Sequence, residues 1–148
     1  MNKFLKQIGF LLGLALVVFV GYWLYRVFFT PQGVYITVEG PNHVFGINVP
    51  FDITVIIHNN TAQTVTETFN STCTEPEITI NKKEPDLGRR TCGSAMTEVS
   101  IRPYATRSYT ITVPGDNGVV QFGDNTIQAI WNSNVSIKPG EFTLLVQR

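Results

Sequence analysis

Hydrophobic positions follow one rule up to about residue 30 and another beyond it. From Ile8 to Tyr25 the chain reads IGFLLGLALVVFVGYWLY, without a charged side chain. A helix rises ~1.5 Å per residue, so this run covers ~27 Å, and continuing through Arg26 to Phe29 with the arginine snorkelling brings it to ~33 Å, enough for a bilayer. The pattern predicts a single N-terminal transmembrane helix over 8–29. After it the period is two, with turn residues at short intervals, and no window gives an amphipathic helix.

The alternating runs predict the strands. Val34, Ile36 and Val38 share one face of the first. Phe51, Ile53, Val55 and Ile57 share one face of the strongest, which reaches His58. Asn59-Asn60-Thr61 reads as a turn and Gln63 to Phe69 as a Thr-rich return strand, so these two are expected to pair as a hairpin. Ile78 and Ile80 mark a short strand, and Val99 and Ile101 another before Pro103. Tyr109, Ile111 and Val113 alternate up to the turn Pro114-Gly115-Asp116-Asn117-Gly118. Ile127, Ala129 and Trp131 form the next inward set, a turn follows at Lys138-Pro139-Gly140, and Phe142, Leu144 and Val146 make the last strand. Seven to eight antiparallel strands without helices predict an all-β, two-sheet sandwich over 34–148. Residues 30–33, Thr-Pro-Gln-Gly, form the linker and reach ~13 Å at most, which would hold the domain close to the membrane.

Charge sets the expected orientation. Lys3 and Lys6 precede the span, and after Arg26 the next basic residue is Lys82. The positive-inside rule then predicts a cytoplasmic segment over 1–7 and export of the rest, to the periplasm or the cell exterior. Tyr22, Trp23 and Tyr25 suit an interfacial aromatic belt, and bulky residues stand where a signal peptidase needs small ones, so an uncleaved signal-anchor is expected. Gly9 and Gly13 form a G-x-x-x-G pair with Gly21 near the same face, a candidate helix-packing stripe through which the chain would form homo-oligomers.

Composition narrows the function. Three of the 11 basic residues precede Thr30, leaving eight against 11 acidic ones, a net charge of −3 for the exported part. That argues against nucleic acid as a partner. Cys73 and Cys92 are the two cysteines. In an oxidising compartment a disulfide between them is the default, closing a loop at its base. His43 and His58 stand alone, so no metal site or cofactor is expected. Serine-nucleophile motifs, paired catalytic carboxylates and glycine-rich phosphate loops are absent, and no enzyme activity is expected. Three Asn-x-Ser/Thr triplets, beginning at Asn59, Asn70 and Asn134, read as turn chemistry.

The strand order resembles an immunoglobulin-like domain, most clearly where Gly123-x-Asn125-Thr126-Ile127-x-Ala129-x-Trp131 is followed by a polar turn and Pro139-Gly140-Glu141-Phe142, as at the end of bacterial surface sandwich domains. Cys73 and Cys92 fall in or beside loops, unlike the inter-sheet pair of antibody domains. A second, narrower resemblance is to the BsuPI-type proteinase inhibitor domain, through Phe51-x-Ile53-Thr54-Val55-x-Ile57-x-Asn59-Asn60-Thr61-x-x-x-Val65-Thr66-x-Thr68-Phe69. The first implies a membrane-anchored interaction or assembly domain of the cell envelope, bound to another envelope protein. The second implies an inhibitor of an envelope or extracellular protease. Its candidate contact loop is Asn81 to Arg90, NKKEPDLGRR, which has no evident buried face and displays Lys82, Lys83, Arg89 and Arg90.

Overall fold

The computed structural model describes residues 2–29, 32–88, 91–131 and 137–148. The chain divides into two compact units, Met1–Gln32 and Gly33–Arg148. In the first, α1 runs as one helix over Asn2–Phe29. Its described side chains are Ile8 and residues 11–25, and all are exposed within the chain. Among the described residues, no helix is long and apolar enough to cross a membrane.

The second unit is all-β, with nine strands among the described residues: β1 (Val34–Glu39), β2 (His43–Phe45), β3 (Phe51–Asn59), β4 (Val65–Phe69), β5 (Glu77–Ile80), β6 (Thr97–Ile101), β7 (Thr106–Val113), β8 (Gly123–Ile130) and β9 (Gly140–Gln147). They form a three-stranded sheet β1-β3-β7, a four-stranded sheet β2-β9-β8-β5 and a two-stranded ribbon β4-β6. Alternation dictates the core. Ile53, Val55 and Ile57 of β3, Ile111 and Val113 of β7, Ile127 and Ala129 of β8, and Leu144 and Val146 of β9 all point inward and are buried in one cluster. Most residues at the intervening positions are polar, as a half-buried sheet requires, with Ile56 and Leu145 the apolar exceptions.

Three expectations change. The stretch before β4 does not close a hairpin on β3: β3 pairs with β1 and β7, and β4 pairs with β6. The reason lies at Asn59, whose amide N–H donates to Ala105 O at 2.9 Å, just past the last β3–β7 pair, His58 with Thr106. The ladder then resumes at Val65 with Ile101. Thus β3 continues into β4 while β6 runs into β7, one long ribbon bent at a corner. Period-two alternation specifies which face of a strand is buried and leaves its neighbour open.

The second change is β2, unforeseen because three residues are too few to show a period; it lies parallel to β9, with Val44 inward. The third concerns Lys138, placed in a turn by its Pro-Gly neighbours. Its backbone instead bonds along β1, Ile36 N to Lys138 O at 3.0 Å and Lys138 N to Val34 O at 3.3 Å. Gly140 follows as the first residue of β9, and a Cβ there would lie 2.8 Å from Ile36 O and 2.9 Å from its Cγ2. Gly140→Ala must push β9 away from β1, and we expect a loss of about 2 kcal/mol in equilibrium urea unfolding. An unchanged midpoint would mean that the two backbones separate freely.

Candidate interaction surface

The segment from residue 81 begins as a tight turn. Asn81 and Lys82 have φ of 53° and 65°, and Ile80 and Lys83 exchange both backbone hydrogen bonds, at 2.8 and 3.0 Å. This is the two-residue connection with both central φ positive that suits the twist of paired strands, and asparagine tolerates that conformation well. The Asn81 side chain holds the turn in place. Its Nδ2 donates to Asn125 Oδ1 at 2.9 Å, its Oδ1 accepts from Thr126 N at 3.1 Å, and its own N–H donates to Thr126 O at 2.8 Å. Asn125, fully buried, also donates to Gln121 O and Gly123 O and accepts from Gln121 N. Every bond this buried amide can make is therefore used, and the turn is clamped to β8.

Lys82 and Lys83 project from that turn and are exposed. The expectation of a loop with no buried face is corrected further on: Pro85 is buried, Leu87 packs against the core, and Asp86 N donates to Asn117 O at 3.2 Å. An apolar pair spaced two apart inside a charged segment was the signal in the sequence. Arg89 and Arg90 lie outside the described residues.

Cys73 and Cys92 are disulfide-bonded, with Cα atoms 5.4 Å apart. The bond sits past the far end of the β4–β6 ribbon, where Thr72 N donates to Gly93 O at 3.0 Å and Gly93 N to Thr72 Oγ1 at 2.8 Å. Trp131 ties this end to the four-stranded sheet: its indole N–H donates to Thr74 O at 3.3 Å and its ring meets Phe69 at 5.7 Å between centroids. Lys82 and Lys83 belong to the β8 side, held there by Asn81 rather than by the disulfide. In α1, a Cβ at Gly13 or Gly21 would meet nothing within 4 Å, and Gly9 falls outside the residues whose surroundings are described.

Two surfaces escaped the sequence reading. Exposed Phe45 and Val49 border an open groove of about 750 Å³ that also takes in Pro41, Pro50, His43 and Asp52. His43 meets Phe45 edge-on at 5.4 Å. The outer face of β1-β3-β7 carries a second cluster, in which Tyr35 stacks on His58 at 4.5 Å and Thr37 Oγ1 lies 2.8 Å from His58 Nε2. Both histidines are thus engaged with aromatic neighbours. Among the described residues, no group of three or more His, Cys, Asp or Glu stands together as a metal site would require.

No family model and no curated protein matches the chain. Solved structures do. The CARDB domain of a Pyrococcus furiosus protein, in its solution NMR structure, is similar over 79% of this chain and 98% of that one, at 17% identity and a TM-score of 0.51. The crystal structure of the same domain, in complex with di-metal ions, covers 79% and 93% at 16% identity and a TM-score of 0.50. The likeness establishes the fold, an immunoglobulin-like β-sandwich.

Proposed function

We propose that the protein is a membrane-anchored, non-catalytic interaction or assembly module of the cell envelope, with α1 as a single-pass signal-anchor and the sandwich outside the cytoplasm. The observation that carries this reading is the uncharged run from Ile8 to Tyr25, which lies within one continuous helix and exposes leucine, valine and phenylalanine at successive positions. A run apolar on every side needs an apolar surrounding, and its uncharged length in the sequence, with Lys3 and Lys6 before it, supports a bilayer as that surrounding. For the sandwich, the CARDB likeness and the absence of a catalytic motif support recognition over turnover. The metal ions of the Pyrococcus domain have no matching ligand cluster among the described residues. For a protease inhibitor acting through residues 81–90, the described geometry offers a turn clamped by Asn81 and a buried Pro85, which lends that reading no specific support.

Fractionation tests the anchor. The chain should resist carbonate extraction at full mass, and an alkaline phosphatase fused after Arg148 should be active where a cytoplasmic reporter is silent. A mature form beginning near Thr30, or the opposite reporter pair, would remove the anchor or reverse its orientation. Crosslinking in intact membranes should capture a structural envelope protein, and capture of a protease would favour the inhibitor.

A further inference from the structure

The sheet edges of this sandwich are not treated alike. An open edge offers unpaired N–H and C=O groups to any strand of matching length, and proteins shorten, cover or charge such edges. Here β2 has three residues and β5 four, while β1 has its edge occupied by the backbone of Lys138. Among the described residues, strand β7 is neither short nor covered, and it carries a single charge, Arg107, near its first end. It is eight residues long, TRSYTITV, without proline, glycine or lysine, and pairs with β3 in unbroken register from Val113 to Thr106. Among the described residues nothing bonds to its other edge. Five of its eight residues are exposed outright, and all five are polar.

We propose that this edge is the interface for a second copy of the chain, β7 against β7 in antiparallel pairing about a two-fold axis at Tyr109. The self-pairing is argued from the residues of β7. A two-fold axis normal to the sheet brings each residue opposite one of the same face, and centring on Tyr109 sets that ring against its copy, an aromatic cross-strand pair. Ser108 then faces Thr110 of the other copy and Thr106 faces Thr112, both hydroxyl pairs on the outer surface. Arg107, the only charged residue of β7, faces Ile111, so like charges do not meet. Two three-stranded sheets become one of six strands, and both open edges are removed.

This deepens the interaction reading by naming a partner and does not depend on α1. The test is sedimentation of the full chain in detergent, with substitutions confined to exposed outer positions. Wild type should sediment as a dimer. S108K/T110K places lysine opposite lysine twice and should shift it to monomer by tenfold or more in Kd. S108K/T110E places lysine opposite glutamate twice in this register and should restore the dimer. A monomeric wild type, a dimer indifferent to S108K/T110K as helix packing through α1 would give, or failure of S108K/T110E to restore association would each overturn the proposal. None of these results alters the capture of another envelope protein, which tests the broader function separately.

Discussion

Asn59→Ala lowers the stability of the sandwich by about 4 kcal/mol, more than truncation of most hydrophobic side chains on β1, because the side chain removed is the joint of the bent ribbon. Asn59 is 1% exposed. Its Nδ2 donates to Gln63 O at 2.8 Å and to Ile101 O and Arg102 O at 3.0 Å each. Its Oδ1 accepts from Thr61 N at 3.1 Å and Thr61 Oγ1 at 2.7 Å. Alanine removes five hydrogen bonds of a buried corner at once. Gln63 O and Arg102 O keep second donors, Thr61 Oγ1 at 3.0 Å and Ala105 N at 3.2 Å, so the loss is that of the amide's own bonds at about 1 kcal/mol each, which together reach the figure given. Asn59→Asp sharpens the test, since it keeps the shape and the acceptor facing Thr61 but turns a carboxylate oxygen toward three carbonyls. It should be at least as destabilising as alanine at neutral pH. Thr61→Ala, which removes one hydroxyl at the partly exposed rim, should cost about 1 kcal/mol. Equilibrium urea unfolding of the three variants checks the ranking. A loss below about 1.5 kcal/mol for Asn59→Ala would mean that water enters the corner and replaces the amide.

Removing the Cys73–Cys92 bond by double serine substitution should cost about 3 kcal/mol and lower Tm by roughly 10 °C. The bonded residues are 19 apart in sequence, and in the chain-entropy account a closed loop of that length gives this magnitude. The loop is not a free excursion, because β5 lies inside it and pairs with β8 from Glu77–Ile130 to Ile80–Ile127. The crosslink therefore couples the β4–β6 ribbon to the four-stranded sheet, alongside the Trp131 contact with Thr74. Without it the variant should still fold, since the core of Ile53, Ile57, Ile111, Ile127 and Leu144 is untouched. Limited proteolysis should then cut faster within the former loop, outside the turn that Asn81 clamps to β8. Free thiols in protein isolated without reductant would contradict the pairing, and an unchanged Tm would show that the ribbon end is held without the crosslink.

Most strands were legible because half-burial writes itself into sequence as alternation. Phe51, Ile53, Val55 and Ile57 located β3, and Tyr109, Ile111 and Val113 located β7, since each inward position must be apolar and each outward one need not be. The disulfide was legible because two cysteines have only one intramolecular pairing to make. Within the loop after β5, the charged residues drew attention to the tips of Lys82 and Lys83, while the work of holding the turn falls to Asn81 and Asn125, whose importance depends on what they meet. An asparagine in a polar stretch looks the same whether it faces solvent or closes a buried network.

By itself the sequence determined where the apolar helical run ends and the alternating β region begins, which faces of the main strands are buried and that the second unit is an all-β sandwich, since these follow from local periodicity and solvent. Only the tertiary structure decided the partners: that β4 pairs with β6 instead of folding back on β3, that Lys138 lines the edge of β1, that β2 joins β9 in parallel, and that among the described residues β7 is left with an open edge. Strand pairing is a contact between residues tens of positions apart, chosen by backbone hydrogen bonds that are nearly the same for every residue type, so side-chain order records the buried face and not the neighbour.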